Sequence, residues 1–400
     1  MRSSIRAVCC VVPAGALCAF VFAAACTWGI YDGSYDGGPA EGRSPWYADG
    51  GQFGGSSDAA ADGPRPYDDS GSDAGPLFPP LPSPRSAFAT IEFNYRAYVF
   101  GGKDATGAPT RTVFAFEHQP QPEWENHCQG GGCRWVKLSD MPVARYGHAA
   151  ASLMGMGVSG IFVIGGYDAS GNPIPGIDRY DAMTDSWTSF GSLPTPRGEI
   201  AVAVDNPTYP TLIVAGGATQ PGGSALTTVD SYNALSNTWN GANNVGQSIP
   251  PLSTARRGAS GASAGGYAAV IGGAPSQSSI EHLFGSSRMW SSSGPPLSRG
   301  RGYAAAVTSS LVSSGNGGFV NNGAEVVLVL GGSDGATVLS EMEAYVPGAG
   351  IIGLPPMPTP RKWLGAAHVE RIVIAIGGED ANGRVLDLME VFNTQTGRWY

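Results

Sequence analysis

Charge is scarce in this chain. Of its 400 residues only 14% are Asp, Glu, Lys or Arg, against about 25% in ordinary soluble domains. Helices need those residues on their solvent faces, so the shortage argues against a helical protein. Catalytic signatures are missing too: there is no G-x-S-x-G, no H-E-x-x-H and no Walker loop. The five histidines (His118, His127, His148, His282 and His368) are scattered, and beyond Cys26 the only cysteines are Cys128 and Cys133. No cluster of lysine and arginine exists, which argues against nucleic acid and against electrostatic membrane binding. Glycine, by contrast, is plentiful: the 60 present are about twice the usual share. Low charge with high glycine fits a turn-rich β protein.

The only long apolar run is at the start. Arg2 and Arg6 precede "AVCCVVPAGALCAFVFAAA", which ends in small residues before Cys26. This reads as an export signal over 1–26, although the run is also long enough to span a membrane as an uncleaved anchor. "AAAC" at 23–26 is similar to a bacterial lipobox, with Ala23 where that motif usually has Leu, and makes Cys26 the expected lipidation site. The localisation expected is an outer-membrane-anchored lipoprotein, or a secreted or periplasmic protein. Residues 27–84 follow, rich in Gly, Asp, Ser, Ala and Pro and without apolar period. Nine acidic residues there oppose Arg43 and Arg65, a net of −7. Such a segment cannot bury enough apolar area to offset its ordering entropy, so it reads as a disordered tether. Of the chain's −9, the tether takes −7 and the signal +2, which leaves −4 on residues 85–400.

That body is built on a repeat. An apolar strand runs into a glycine pair at Gly101-Gly102, Gly165-Gly166, Gly216-Gly217, Gly272-Gly273, Gly331-Gly332 and Gly377-Gly378. A nucleotide cradle would need a helix N-terminus after the glycines; here a turn and another strand follow, six times. Asp104, Asp168, Asp334 and Asp380 stand two residues past their pairs, where a carboxylate can bond turn N–H groups. An aromatic strand comes next, and a tryptophan seven residues later: Tyr180 with Trp187, Tyr232 with Trp239, Phe392 with Trp399. Trp290 has Leu283 at the aromatic position, Tyr345 has Ile352 at the tryptophan position, and Trp135 is displaced by an insertion. Between units lies a proline-rich joint ending in arginine: Arg85, Arg145, Arg197, Arg256, Arg299 and Arg361.

Each unit thus reads as four short strands, and a period near 55 residues indicates a solenoid, propeller or array. Gly-Gly, then Tyr, then Trp at this period resembles the kelch repeat, over all of 85–400. The resemblance implies an all-β, six-bladed β-propeller of four-stranded antiparallel blades, with blades near 85–141, 142–193, 194–252, 253–297, 298–357 and 358–400. It implies that large rings pack over the glycines and against the neighbouring blade. The sequence ends at Tyr400, so ring closure is expected from residues 76–84 or from blade packing alone.

Function is less legible. The insertion "EHQPQPEWENHCQGGGCRW" suggests a local Cys128–Cys133 disulfide in an exported protein. A metal site using His118, His127, Cys128 and Cys133 is the alternative, but its spacing matches no standard zinc pattern. Copper oxidases built on kelch propellers need converging His and Tyr with a crosslinking Cys, and the cysteines here share one loop. No cofactor or metal is expected. His148 sits where kelch repeats often carry a structural His. In kelch propellers that bind acidic peptides, arginines near the joint contact the ligand, and a bacterial sialic-acid mutarotase of this class also binds a carboxylate. The resemblance therefore makes Arg85, Arg145, Arg197, Arg256, Arg299 and Arg361 candidates around one channel mouth, unless each pairs with a blade carboxylate or carbonyl. Arg257 and Arg301, present in only two blades, are further candidates. Specificity is expected from rim residues that do not repeat: Tyr146, Glu199, Tyr303, Lys362 and Trp363. The reading is a monomeric binding module for an unknown protein or glycan, with an anionic ligand one option. A carbohydrate-active enzyme, mutarotase-like or a lyase, using Glu199 or Glu370, is the alternative.

Overall fold

A computed structural model describes residues 78–118, 128, 132–154, 158–205, 211–234, 238–239, 249–284, 289–292, 294–310, 325–347 and 350–400. Cys26, the export signal and the tether up to residue 77 lie outside the described residues, as does His127. Six four-stranded antiparallel sheets make up what is described, each with its strands in chain order. Blade two shows the plan: Ala149–Leu153, Gly160–Ile164, Gly176–Asp181 and Ser186–Ser192, from the innermost strand outward. The other sheets span 89–138, 201–239, 260–291, 305–354 and 365–399. The protein is a six-bladed β-propeller.

Second strands such as Gly160–Ile164 and Val326–Leu330 are buried along their whole length. Both faces of each blade are covered by neighbours, so these strands read as continuous apolar runs rather than alternating ones. Innermost strands carry small residues because six of them crowd the axis. A Cβ on Gly261 would lie 2.3 Å from the Val202 carbonyl oxygen of the adjacent blade. Side chains also bond across the seams here: Thr90 Oγ1 donates to the Ala366 carbonyl at 3.0 Å, and Thr308 Oγ1 to that of Ser263 at 2.6 Å.

Among the described residues six apolar clusters fill the propeller, one per seam. In each, the aromatic-strand residue packs on the preceding blade: Tyr180 on Phe100, Tyr232 beside Phe162, Phe392 beside Leu328. Blade one uses Phe116, opposite Trp135 in the ladder. In blade five Tyr345 faces Ile351, not Ile352. The nearest neighbours of the glycine pairs are mainly carbonyl oxygens and joint residues, although the Phe88 ring of blade one lies against Gly377. A Cβ on Gly165 would meet the Arg197 carbonyl oxygen at 2.5 Å, and one on Gly166 the Tyr146 carbonyl oxygen at 2.7 Å. Both glycines have positive φ, so the pair lets two backbones approach where no side chain fits.

The ring closes without strand exchange. In four of the other seams the joint's apolar residue and its arginine, four residues apart, bond the preceding blade through their N–H groups, as Met357 does to Ser340 and Arg361 to Leu339; in the fifth Leu193 bonds Pro175. Leu81 and Arg85 do the same to Asp387 and Leu386 of blade six, at 2.8 and 3.0 Å. Residues 78–84 thus act as the sixth joint. Trp135 Nε1 donates to the Pro79 carbonyl at 3.1 Å, as Trp187 does to Ser139, Trp290 to Pro250 and Trp399 to Pro355. Cys128 and Cys133 are disulfide-bonded, and they pack with Phe78, Leu81 and Tyr400 in this closing seam.

Candidate functional site

The joint arginines are interior residues. Arg145, Arg197, Arg256, Arg301 and Arg361 are 0–1% exposed and Arg85 is 4% exposed. Five of them meet a carboxylate on their own blade's third strand: Asp178, Asp230, Glu281, Glu343 and Glu390 in turn. Four of these guanidinium groups also donate to the carbonyl of the first glycine of the pair: Arg145 to Gly165, Arg197 to Gly216, Arg256 to Gly272 and Arg361 to Gly377. In blade one Phe114 takes the carboxylate's place in the ladder, and Arg85 bonds Thr112 Oγ1 and the Pro84 carbonyl instead. Each arginine's own carbonyl accepts from the second glycine of the preceding blade, at 2.7–3.1 Å. One residue therefore ties two blades together. Arg85, Arg145, Arg197, Arg256 and Arg361 cannot line a mouth, which corrects the candidate list. Burial lowers the pKa of Arg145 and raises that of Asp178, with mutual attraction opposing both shifts.

Arg299 and Arg301 exchange roles relative to expectation. Arg301 is the buried repeat arginine, paired with Glu343. Arg299 is exposed and bonds Asp334 and Glu341 on the surface. The spacing carried the signal: Leu81, Met141, Leu193, Leu252, Leu297 and Met357 each precede the buried arginine by four residues.

The mouth is made by the second residue after each buried arginine. Ala87, Gly147, Glu199, Gly258, Tyr303 and Trp363 all have φ between +51° and +62°. Each N–H donates to the carbonyl of the preceding member, and Ala87 to that of Trp363, at 2.7–3.0 Å. Six backbone groups thus form a closed collar around the axis. Left-handed φ is free of strain only for glycine, and a bulky residue there costs of order 1 kcal/mol. Yet three collar positions hold Glu, Tyr and Trp.

Those three meet. The Tyr303 and Trp363 rings stack at 3.9 Å between centroids. Tyr303 leans across Gly258, where a Cβ would come within 2.2 Å of its ring. Its hydroxyl donates to Glu199 Oε2 at 3.3 Å and accepts from Arg257 Nη1. Arg257 also donates to Glu199 Oε2 at 3.0 Å, and the Gly222 N–H to Oε1 at 2.9 Å. Glu199 is buried and Arg257 half-buried. Burial raises the Tyr303 pKa, and the Glu199 charge adds to it. Burial alone would lower that of Arg257, but the bonds to Glu199 and Tyr303 raise it. The cleft inside the collar has a volume of about 100 Å³ and opens beside a central channel of about 350 Å³.

Outside the collar, the Tyr146 and Tyr167 rings lie 5.5 Å apart, and Lys103 Nζ stands 4.1 Å over the Tyr146 ring. Lys362 pairs with Glu379, which also accepts from Ser86. His148 sits beneath, 6% exposed, its Nε2 donating to the Phe100 carbonyl of blade one at 3.0 Å. Burial first, then the Arg145 charge, lowers its pKa to about 3. The structure therefore brings together Arg257, Glu199, Tyr303 and Trp363, with Tyr146 and Lys362 on the rim around them. Among the described residues no group of three His, Cys, Asp or Glu is placed to hold a metal.

Comparison with known proteins agrees with this architecture. The Kelch motif model matches residues 160–194, most of blade two. Alpha-scruin of Limulus polyphemus is 28% identical over 165 residues, covering 39% of this chain and 16% of the relative. Kelch-like protein 25 of Xenopus tropicalis is 26% identical over 121 residues, or 28% of this chain and 18% of the relative. The chain thus spans under a fifth of the length of these relatives. Among solved structures, that titled "Structure of YjhT" superposes with a TM-score of 0.59 at 14% identity, covering 81% of this chain and 99% of the other. That likeness concerns the fold. The six-bladed propeller thus carries a Kelch motif and is similar to kelch-repeat proteins.

Proposed function

We propose that the chain is an exported, surface-tethered interaction module that binds a protein or glycan partner through the collar mouth, as a monomer. One observation carries this reading: three large side chains occupy left-handed collar positions that glycine fills without strain. Strain of that kind persists where the surroundings enforce it, and it clusters at ligand-binding sites. Export and tethering rest on the apolar leader ending at Cys26 and on the acidic tether. Replacing Cys26 by Ser is expected to move the protein from the membrane to the soluble fraction, and equal distributions would sink the anchor. Fold alone does not set function, so the test of the mouth is direct. Partner capture by the full chain is expected to fail in Trp363→Ala and to survive Tyr95→Ser, 71% exposed in an inner-strand hairpin at the far end of the channel. The reverse pattern would place binding on the other face.

An enzyme reading is less well supported. General acid–base chemistry needs a carboxylate that can reach substrate. Both Glu199 oxygens accept hydrogen bonds from protein donors, which makes Glu199 a brace for Arg257 and Tyr303. Glu370 stands in the turn of a hairpin at the other end of the channel.

A further inference from the structure

The six innermost strands stand side by side around the axis, and their residues face the channel in levels. In Ala201–Asp205 and Ser260–Ala264 burial alternates, and the second and fourth residues are the open ones, as the period of a strand requires. Bonds across the seams align the levels. Thr90 meets Ala366, second to second, and Ser263 meets Val204 and Thr308, fourth to fourth. The second level is small and apolar apart from Thr90, with Ala150, Gly261 and Ala306 among its members. The fourth lies nearer the hairpins, at the end away from the collar. Round the ring it reads Glu92, Ser152, Val204, Ser263, Thr308 and His368. The channel they line has a volume of about 350 Å³, within the range of small-molecule pockets.

Glu92 brings a charge into this ring that nothing offsets. Among the described residues it forms no ion pair, and its carboxylate accepts one hydrogen bond, from the Tyr95 N–H to Oε1 at 2.7 Å. Burial raises its pKa, and that bond opposes the rise. His368, on the neighbouring blade six, supplies no compensating charge, because burial lowers its pKa against a bond at Glu370. On the blade-two side stands Ser152, whose hydroxyl has no partner among the described residues. We propose that the channel binds an organic primary amine in its ammonium form, with the head on Glu92 and Ser152 and a short apolar body on the second level. An ammonium carries three donors and no acceptor, and a charge-assisted bond to a partly buried carboxylate is among the stronger polar contacts. An alcohol of the same shape would leave the Glu92 charge uncompensated, and a carboxylate would be repelled. This site lies away from the collar mouth and does not depend on partner binding there.

The test is a titration of the full chain with hexylamine and phenethylamine, alongside hexanol, hexanoate and calcium and zinc chlorides. Calorimetry reads affinity, and the methyl NMR signals of Val204, Ala306 and Ala366 read position. Saturable one-to-one binding of at least one amine is expected, with shifts at those three methyls and weaker binding of hexanol and hexanoate. Glu92→Gln, which keeps the shape and removes the charge, should weaken the amine by about tenfold or more, the size of one charged contact. It should leave hexanol unchanged. Ala306→Leu, which places a larger side chain in the second level, should abolish amine binding, and near-UV circular dichroism of each variant establishes that the propeller is intact. If Ala306→Leu does not fold, the Glu92→Gln comparison decides alone. The proposal is overturned if neither amine saturates, if hexanoate binds as tightly, if Glu92→Gln binds the amine as well as the parent, or if only the metal ions bind.

Discussion

Arg361 shows how a repeated residue is committed to the fold. Its side chain is 0% exposed, donates to Glu390 at 2.6 Å and to the Gly377 carbonyl at 3.1 Å, and its own carbonyl receives the Gly332 N–H at 2.8 Å. Removing one member of such a pair leaves a buried charge without a partner. Arg361→Met is expected to cost about 3–5 kcal/mol in chemical denaturation, and the double change Arg361→Met with Glu390→Leu less than the sum of the singles. Additive losses would refute the pairing argument. Gly258 is a second such residue. Alanine there would keep φ near +56° at some strain and would push a Cβ into the Tyr303 ring. Gly258→Ala should displace Tyr303 from Glu199 and weaken mouth binding, whereas Gly265→Ala, in an open hairpin turn with positive φ, should change stability alone. Equal binding losses in both would leave the collar without a role. His148 sets a pH dependence. Its folded-state pKa near 3 lies below the ordinary 6.5, so between those values the unfolded chain takes up a proton that the folded chain refuses. Stability from this residue is complete above pH 6.5 and declines as pH falls toward 3, by up to about 1.4 kcal/mol per unit. His148→Gln, which keeps an N–H for Phe100, should flatten the pH–stability curve over that window. Parallel curves would contradict the burial.

At the scale of strands and joints, the legible and illegible parts separate for physical reasons. Glycine pairs, aromatics and tryptophans recur because every blade needs the same backbone approach and the same seam packing, so six copies report one cause. The role of each glycine did not follow. Gly165 faces the Arg197 carbonyl, a partner contributed by the next blade, and only the packed ring reveals it. Arg299 drew attention by following "PPLS", while the apolar-to-arginine spacing of four marks Arg301 instead. The mouth was readable only as a set of residues that break the repeat: Glu199, Tyr303 and Trp363 share no motif, and their meeting depends on closure of the collar. Blade one adds its own element, the Cys128–Cys133 disulfide packed with Phe78, Leu81 and Tyr400. Replacing Cys128 and Cys133 by Ser removes a cross-link that closes only a short loop, so the entropic contribution is modest. The larger effect is lost packing in the closing seam. A fall in melting temperature of a few degrees is expected, together with a faster loss of the Trp135 near-UV signal than of the other tryptophans in matched Trp→Phe variants. An unchanged melting curve would mean that the seam holds without the disulfide.

The whole molecule is a ring in which every blade depends on two neighbours, and its weakest point is where chain connectivity does not help. Five seams are joined covalently through their proline-rich joints. The sixth, between blade six and blade one, has only non-covalent contacts, and its joint is the segment 78–84. Leu81 and Arg85 dock on blade six through Asp387 and Leu386, and Pro79 receives the Trp135 indole. In propellers closed by strand exchange, a terminal strand completes a foreign blade; here the outer strand of blade six, Arg398–Trp399, belongs to its own chain order. Two truncations separate the contribution of the joint from that of everything before it. A chain beginning at residue 76 retains the sixth joint and should unfold in one cooperative transition at the parent's midpoint. One beginning at residue 85 loses Phe78, Leu81 and the acceptor for Trp135, exposing the apolar cluster that Ile374, Ile376 and Val391 share with blade one. Its unfolding should begin at that seam: amide exchange in 365–376 and 389–393 should rise before exchange in 160–164 and 212–215, and the midpoint should fall. If both truncations melt together, packing of Phe88 and Phe116 on blade six closes the ring by itself and the joint is dispensable.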